Sequence, residues 1–450
     1  MVKKEFADFG IRQGLRLVRN NPDKAIPRIL DGIDLLARGS MPSQRRAIRA
    51  TLEDKNSNVY QLVIRGLNEV DPSVFERIIS TFAINAGFGG WQEQEKNRAE
   101  LGCSIPWAIL LDPTSACNLH CTGCWAADYG NRLNLTLEDI DSIINQGKEL
   151  GVYFYIYTGG EPLVRKADLI KLCEMHPDCV FLSFTNGTLV DQEFCDEMKR
   201  LGNFVPAISL EGDRESTDSR RGEGTYDKVI SAMKLMKSNG VPFGVSCCYT
   251  SANFASVSTD EYVDSLIDLG AFFVWYFHYM PVGSDANIDL MCTPEQREVM
   301  YWAVRRWRKE KAIFPMDFQN DGQFTQGCIA GGRRYLHINA SGDVDPCVFV
   351  HFSDSNIHEK TLLECLQSPL FMAYHDNQPF NDNYLKPCPM LENPQELRRL
   401  IRETGAKSSN LEGEETVEML CSRCDKYAED WAPTADKLWA ADHAHANFTH

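Results

Sequence analysis

The sequence predicts an α/β protein: a partial (β/α)6 barrel, preceded by an α-helical region and followed by a small cysteine-rich domain. Between Trp107 and Phe318, six short apolar runs alternate with five charged, amphipathic runs. This alternation favours parallel strands joined by helices that pack outside the sheet. Polar and glycine-rich motifs directly follow several of the apolar runs, as active-site residues do at the carboxyl ends of barrel strands.

Residues 1–102 are predicted to form the α-helical N-terminal region. Ile26, Ile29 and Leu30 recur at three- and four-residue steps, which is the spacing of one helix face. The stretch "DPSVFERIISTFAINAG" indicates a later helix, with Asp71 as its N-cap.

Residues 103–318 supply the barrel. The six predicted strands are "WAILLDPT", "VYFYIYTGG", "CVFLSFTNG", "FVPAISLEG", "PFGVSCCYT" and "AFFVWYFHYMP". The five predicted helices are "TLEDIDSIINQGKELG", "KADLIKLCEMH", "DQEFCDEMKRLG", "TYDKVISAMKLMKSNG" and "TDEYVDSLIDLG". So many units in series, with strands apolar on both faces, favour a full or partial TIM-like barrel.

Residues 319–450 are predicted to form the C-terminal domain, because the alternation of strands and helices stops after Phe318. Turn signals ("NDGQ", "AGGRR", "ASGD" and "ENP") separate short segments there, and the last part is polar and helix-like.

Charge and composition exclude several classes of protein. A net charge of −17 argues against nucleic-acid binding, because a surface that follows phosphates needs clustered Lys and Arg. Residues 1–50 nevertheless carry a net charge of +6, which leaves −23 on the remainder. No run of about 18 uncharged apolar residues occurs, and the first residues lack a signal-peptide pattern. We therefore expect a cytoplasmic protein.

Sixteen cysteines without a secretory signal indicate thiol chemistry rather than a disulfide framework. Seven stand in apolar or helical surroundings and are expected to be small buried side chains. These seven are Cys173, Cys179, Cys195, Cys247, Cys248, Cys292 and Cys365.

Three further cysteines follow the first predicted strand in the segment "CNLHCTGCWA". Cys117, Cys121 and Cys124 have the spacing C-x-x-x-C-x-x-C. A structural zinc site needs a fourth ligand, for which His120 is the local candidate, although it lies between two of the proposed ligands. A [4Fe–4S] cluster held by three thiolates leaves one iron open, and an open metal position usually serves chemistry.

The motifs that follow the strands make the chain resemble the radical S-adenosylmethionine (SAM) superfamily. They occur in that family's order: the cysteine loop, then "YTGGEP", "FTNGT", "ISLEG" and "DSRRGEGTY". One departure is Gly123, which stands where the family often has an aromatic residue before the third cysteine, with Trp125 following instead.

This resemblance implies that Cys117, Cys121 and Cys124 hold a [4Fe–4S] cluster whose open iron binds SAM. It implies that Gly159, Gly160 and Glu161 bind the methionyl amine, that Asn186, Ser209 and Glu211 contact the ribose and carboxylate, and that Arg221 pairs with the carboxylate. The glycines allow close backbone approach, and a guanidinium suits a carboxylate. The implied reaction is reductive cleavage of SAM to a 5'-deoxyadenosyl radical, which abstracts hydrogen from a substrate.

A second set of cysteines follows the barrel. The segments "SGDVDPC", which ends at Cys347, and "CSRC", which holds Cys421 and Cys424, resemble parts of the C-terminal auxiliary-cluster modules called SPASM and Twitch. Cys328 precedes the first of these segments in "GCIAGG". The resemblance implies a second, auxiliary [4Fe–4S] cluster with these four ligands. Cys388 remains as an additional candidate, and a zinc knuckle at the C-x-x-C pair is the alternative.

The substrate is open between two classes. The aromatic run "AFFVWYFHYMPVG" and the basic, apolar stretch "FGIRQGLRLVRNN" favour an apolar or lipid substrate and contact of the N-terminal region with a membrane surface. Core packing explains the first feature equally, and a helix packed on the barrel explains the second. The second class is peptides or proteins, which many SPASM-bearing relatives modify. The resemblance also implies a reducing partner such as a flavodoxin or ferredoxin; a non-catalytic iron–sulfur electron carrier is the non-enzyme alternative.

Overall fold

A central sheet organises the computed structural model, which describes residues 13–15, 17–36, 42–283, 285–413 and 415–446. Its strand order is β7-β6-β5-β4-β3-β2-β1-β8-β9. In this sheet, strands β1 to β8 run parallel to one another, and β9 is antiparallel to β8. The strands are β1 (Ala108–Leu111), β2 (Phe154–Tyr157), β3 (Val180–Thr185), β4 (Phe204–Ser209), β5 (Gly244–Tyr249), β6 (Phe273–His278), β7 (Phe314–Asp317), β8 (Tyr335–Ile338) and β9 (Val344–Asp345). The predicted partial barrel is confirmed.

Helices precede, separate and follow these strands. The N-terminal helices are α1 (Pro22–Leu36), α2 (Pro42–Glu53), α3 (Asn58–Glu69), α4 (Pro72–Ile78), a π-helix (Ile79–Gly89) and α5 (Gly90–Leu101). The barrel helices are α6 (Leu137–Glu149), α7 (Lys166–Met175), α8 (Gln192–Leu201), α9 (Arg214–Arg221), α10 (Thr225–Ser238), α11 (Phe254–Val257), α12 (Asp260–Leu269) and α13 (Pro294–Glu310). The C-terminal helices are α14 (Gly322–Thr325), α15 (Leu362–Leu366), α16 (Pro369–Asn377), α17 (Pro394–Thr404) and α18 (Val417–Ala446).

In several strands, alternate residues belong to two different hydrophobic cores. Ile109 and Leu111 of β1 pack outward with the helices, whereas Ala108 and Leu110 pack inward. The inward core also contains C-terminal residues, among them Trp431. Because the pleat reverses side-chain direction at every residue, the concave face of the sheet is covered by the C-terminal part of the chain.

The N-terminal helices close the barrel at the start of its strands. Phe82 of the π-helix meets Trp107 and Phe154 edge-on, at centroid distances of 5.7 and 5.6 Å. Trp107 Nε1 donates to the carbonyl of Ala86 at 2.9 Å. The end of the barrel that carries the motifs therefore lies opposite these helices.

Two of the parallel strands were not predicted from the sequence. β7 is short, contains Pro315 and pairs with β6 at the sheet edge, where a missing N–H is tolerated. β8 pairs with β1 in parallel, although 223 residues separate Leu111 from Tyr335 along the chain. The C-terminal region thereby begins as a strand of the same sheet.

The basic N-terminal stretch gives no support to membrane contact. Phe9, Ile11, Arg12 and Arg16 lie outside the described residues, and Val18 is buried. Within the part of the chain that the structure describes, no helix has the length and apolar character needed to cross a bilayer.

Candidate functional site

The cysteine loop lies at the carboxyl end of β1, as predicted. Cys117 is exposed, and Cys121 and Cys124 are half-buried. Burial, followed by the neighbouring Cys121 sulfur, raises the pKa of the Cys124 thiol, whereas Arg220 and Arg221 lower it. The cysteines and the two guanidiniums therefore share one electrostatic environment.

An aromatic ring lies against Gly123, the position at which the sequence departs from the family pattern. Gly123 has φ +65°, and a Cβ there would come within 2.7 Å of the Tyr279 ring. Tyr279 follows β6 and is 1% exposed. A residue distant in sequence thus places an aromatic ring beside the third cysteine. Trp125 instead meets Phe349 edge-on at 6.4 Å.

The glycine pair after β2 packs on the cysteine loop. Gly160 N donates to Thr114 O at 3.0 Å, and Glu161 N donates to Ala116 O at 2.8 Å. A Cβ on Gly160 would overlap the Ala116 carbonyl, and one on Gly159 would lie 2.7 Å from Asp112. The glycines are required by this backbone approach as much as by any ligand.

Glu161 is 1% exposed and accepts three hydrogen bonds. Leu163 N and Thr185 Oγ1 donate to Oε1 at 2.9 and 2.7 Å, and Asn186 N donates to Oε2 at 2.7 Å. Burial raises the pKa of this carboxyl, and these donors act against the rise. Glu161 therefore joins the loops after β2 and β3.

Asn186 and Ser209 stand at the ends of β3 and β4. Asn186 Nδ2 donates to Asn118 Oδ1 at 2.8 Å, which ties it to the cysteine loop. Ser209 is 8% exposed and pairs with Ser246 in the register of β4 and β5. The predicted SAM-contacting residues that follow β1 to β4 thus meet at one edge of the sheet.

Glu211 lies between two arginines, only one of which was predicted. Arg221 Nε donates to Glu211 Oε1 at 2.9 Å, and Arg220 Nη1 donates to the same oxygen at 2.6 Å. Glu211 is fully buried; burial raises its carboxyl pKa, but Arg220 and Arg221 outweigh that effect and lower it. Arg221 Nη1 also lies 3.8 Å from Cys121 Sγ. Cys248, expected to be buried, is half-buried beside this group, and its N–H donates to Glu211 Oε2 at 3.1 Å.

These residues fit a cluster that carries thiolate ligands. Arg220 Nε is buried without a hydrogen-bond partner, and Arg221 already faces a cysteine sulfur. Among the described residues, no three His, Cys, Asp or Glu side chains are close enough to share a single metal ion. A four-iron cluster holds its ligand sulfurs apart by its own width.

The C-terminal cysteines gather on the concave side of the sheet. Cys347, Cys421 and Cys424 are buried in the inward core, and Cys328 and Cys388 pack against it. Burial raises the pKa of the Cys388 thiol, and the charges of Glu392, Cys328 and Cys347 act in the same direction. Cys388 is therefore a neighbour of two predicted ligands.

A buried tyrosine and an ion pair adjoin these thiols. Tyr374 is fully buried, interacts electrostatically with Cys328, Cys347, Cys388 and Cys421, and its hydroxyl has no hydrogen-bond partner. Arg297 Nη1 lies 2.8 Å from Glu392 Oε1, and both side chains are 0% exposed. An orphaned hydroxyl among cysteines fits a group that would accept a hydrogen bond there.

Substitution of Gly160 by Ala is expected to lower the rate of SAM cleavage by at least tenfold, because the new methyl group must displace the cysteine loop. Dithionite-driven 5'-deoxyadenosine formation, measured by chromatography, checks this. Gly32→Ala is the matched control, since nothing lies within 4 Å of its added Cβ. Full activity of Gly160→Ala would show that the loops adapt.

Comparison with known proteins accords with this geometry. Residues 111–269 match the model of the radical SAM superfamily. An AdoMet-dependent heme synthase of Methanosarcina barkeri is 22% identical over 291 residues, which cover 58% of this chain and 82% of that protein. The PqqA peptide cyclase of Gluconobacter oxydans is 24% identical over 292 residues, 60% of this chain and 79% of that protein.

A solved structure of another protein has a similar fold. Streptococcus suis SuiB bound to S-adenosylmethionine superposes with a TM-score of 0.57 at 20% identity, over 74% of this chain and 81% of SuiB. The barrel of this chain, over residues 111–269, is therefore a radical SAM domain, and a [4Fe–4S] cluster and SAM are its cofactors.

Proposed function

We propose that this enzyme uses the radical formed from SAM to abstract a hydrogen atom from an apolar group of its substrate. The observation that carries the substrate class is a set of aromatic side chains on the concave face of the sheet. We call this set the aromatic wall: Phe184, Trp275, Phe277, Phe318 and Phe349.

The rings of the aromatic wall touch one another in series. Phe277 lies 5.6 Å from Phe184, 5.4 Å from Trp275 and 5.3 Å from Phe318, between centroids. All four of these side chains are half-buried, whereas Tyr276, which points to the outer helices, is fully buried. The inward side chains of β6 therefore pack against the inward core and still keep solvent-accessible apolar surface.

The aromatic wall reaches both groups of cysteines. Phe349 meets Trp125, the residue that follows Cys124. Phe318 packs on Tyr335 at 6.1 Å, and the Tyr335 hydroxyl lies 2.7 Å from Cys347 Sγ. An apolar group on the wall would lie close to the predicted SAM site, where desolvation favours its binding.

The cofactors supply one-electron cleavage of the SAM C–S bond when they are bound. The chain would hold the cluster with Cys117, Cys121 and Cys124 and would place Arg221 and Glu211 beside it. The glycine pair fixes the loop geometry, and the aromatic wall excludes water from the reacting substrate group.

The C-terminal thiols would hold the auxiliary cluster. The ligand set Cys328, Cys347, Cys421 and Cys424 stays a prediction, and the electrostatic contacts of Cys388 support it as a ligand as well. A closed cluster needs four thiols, so we propose that Cys388, which lies beside Cys328 and Cys347, is one of the four and takes the place of one predicted ligand.

Substitution of Cys388 by Ala is expected to reduce the iron content of the reconstituted protein from about eight to about four atoms per chain. Iron and sulfide assays after anaerobic reconstitution measure this. Cys365→Ala, which removes another buried thiol of the same region, should keep about eight irons. If the iron content of Cys388→Ala is unchanged, the other four cysteines are the ligands of the auxiliary cluster.

A peptide substrate is the second candidate. Relatives named PqqA peptide cyclase from three organisms favour it, at 24–26% identity. An aromatic or aliphatic residue of a peptide would occupy the same wall, so both candidates use one site.

Truncation of Trp275 tests whether the aromatic wall binds the substrate or serves only to pack the core. Lipid and peptide extracts of the source cells are added to the reconstituted enzyme, and the substrate-stimulated part of 5'-deoxyadenosine formation is measured. Trp275→Ala is expected to raise the KM for the stimulating extract roughly 30-fold, since about 2 kcal/mol of apolar contact is lost. Trp302→Ala, at a tryptophan 47% exposed on α13, is the control. An unaltered KM in Trp275→Ala would contradict the proposed substrate wall.

A further inference from the structure

Three guanidinium groups meet on one face of the protein at the joint between the N-terminal helices and β8. The side chains of Arg98 and Arg334 both lie over the Trp91 ring, at 5.2 and 4.7 Å from its centroid. Arg333 is the neighbour of Arg334 and interacts electrostatically with both Arg334 and Arg98. We call Arg98, Arg333 and Arg334 the arginine patch.

The positive charge of the arginine patch is poorly compensated. Half-burial, and then the charges of Arg98 and Arg333, lower the pKa of Arg334 to about 10. Among the interactions described for these three side chains, Glu95 contributes the single carboxylate, and it pairs with Arg98. Such a patch stands out on a chain whose net charge is −17.

The arginine patch adjoins one of the predicted auxiliary-cluster ligands. Arg333 Nη1 donates to the Cys328 carbonyl at 2.8 Å, and its charge interacts with the Cys328 thiol. Cys328 and Cys388 are half-buried, whereas Cys347, Cys421 and Cys424 are buried. The patch thus lies beside one of the two thiols of this group that keep some exposure to solvent.

We infer that the arginine patch docks an acidic electron-carrier protein that reduces the enzyme through its C-terminal iron–sulfur centre. This inference rests on the proposed auxiliary cluster. One electron would leave the reduced carrier, which is oxidised by one electron, and would enter the centre beside Cys328, which is reduced by one. Complementary charge accelerates such encounters, and electron-transfer interfaces are small enough to be formed by a few side chains.

Charge reversal at Arg334 tests the docking surface. The reconstituted enzyme is titrated with an acidic flavodoxin at about 50 mM NaCl, where surface charges are weakly screened. Arg334→Glu is expected to weaken flavodoxin binding at least tenfold and to slow bleaching of the iron–sulfur absorbance by reduced flavodoxin to the same extent. Arg334→Lys should retain binding. Lys171→Glu makes the same change of charge at an exposed position on α7 and should bind flavodoxin as the natural protein does.

The outcomes are distinct. The inference would be overturned if Arg334→Glu bound flavodoxin as tightly as the natural protein does. It would also be overturned if Lys171→Glu lost as much binding as Arg334→Glu. Dithionite is a small reductant that needs no docking surface, so its reaction with Arg334→Glu should stay within twofold of the natural protein. If dithionite yields no 5'-deoxyadenosine with the natural protein, the proposed function fails, while the binding titration still decides the fate of the docking surface.

Discussion

Substitution of Cys121 by Ala is expected to abolish SAM cleavage, with 5'-deoxyadenosine falling at least 1000-fold under dithionite. Cys121 is one of three thiols available to the open cluster, and its sulfur lies 3.8 Å from the Arg221 guanidinium. Its loss leaves two of the three thiols that are predicted to hold this cluster. Iron should fall from about eight to about four atoms per chain, because the C-terminal thiols remain. Cys117→Ala and Cys124→Ala should behave alike.

Cys195→Ala is the matched control for this loss. Cys195 is fully buried in the outer core on α8, so its truncation should cost about 1 kcal/mol of stability while iron and SAM cleavage stay intact. Survival of SAM cleavage in Cys121→Ala would refute the assignment of the cluster to this loop. Iron uptake by the natural protein without any cleavage would instead favour an electron carrier.

Substitution of Arg297 by Met is expected to lower the free energy of unfolding by about 3–5 kcal/mol, because it leaves the Glu392 carboxylate buried without its cation. Arg297 also donates to Asn320 Oδ1 at 3.0 Å and lies 4.1 Å from the centroid of the Trp431 ring. Its removal therefore loosens the contact between α13 and α18. Urea denaturation followed by circular dichroism measures the change.

A second substitution distinguishes the unpaired charge from lost packing. Adding Glu392→Gln to Arg297→Met removes the stranded carboxylate and should recover part of the stability. Arg402→Met breaks an exposed pair with Glu418, where Arg402 is 65% exposed, and should cost less than about 1 kcal/mol. A loss below about 1 kcal/mol in Arg297→Met would mean that water or a neighbouring group compensates Glu392.

The aromatic ring beside the third cysteine shows where prediction from sequence stopped. The sequence marked Gly123 as a departure from the family pattern, and the structure brings Tyr279 to that position from the end of β6. The intervening residues fold as five strands and their helices, so no local pattern connects the two positions. Arg220 was missed because the resemblance to the family's Asp-x-x-Arg-Gly loop points to Arg221 alone, whereas in the folded protein both arginines reach Glu211 Oε1.

The sequence by itself determined the helical N-terminal region, the six βα strands and the cysteine loop at the end of β1, because these depend on local periodicity and on fixed spacing. The tertiary structure decided the rest. It placed β8 beside β1, brought Cys388 to Cys328 and Cys347, exposed the aromatic wall toward the inside of the barrel and gathered the arginine patch. These arrangements join residues far apart in the chain, and packing selects them only when the whole sheet closes over its core.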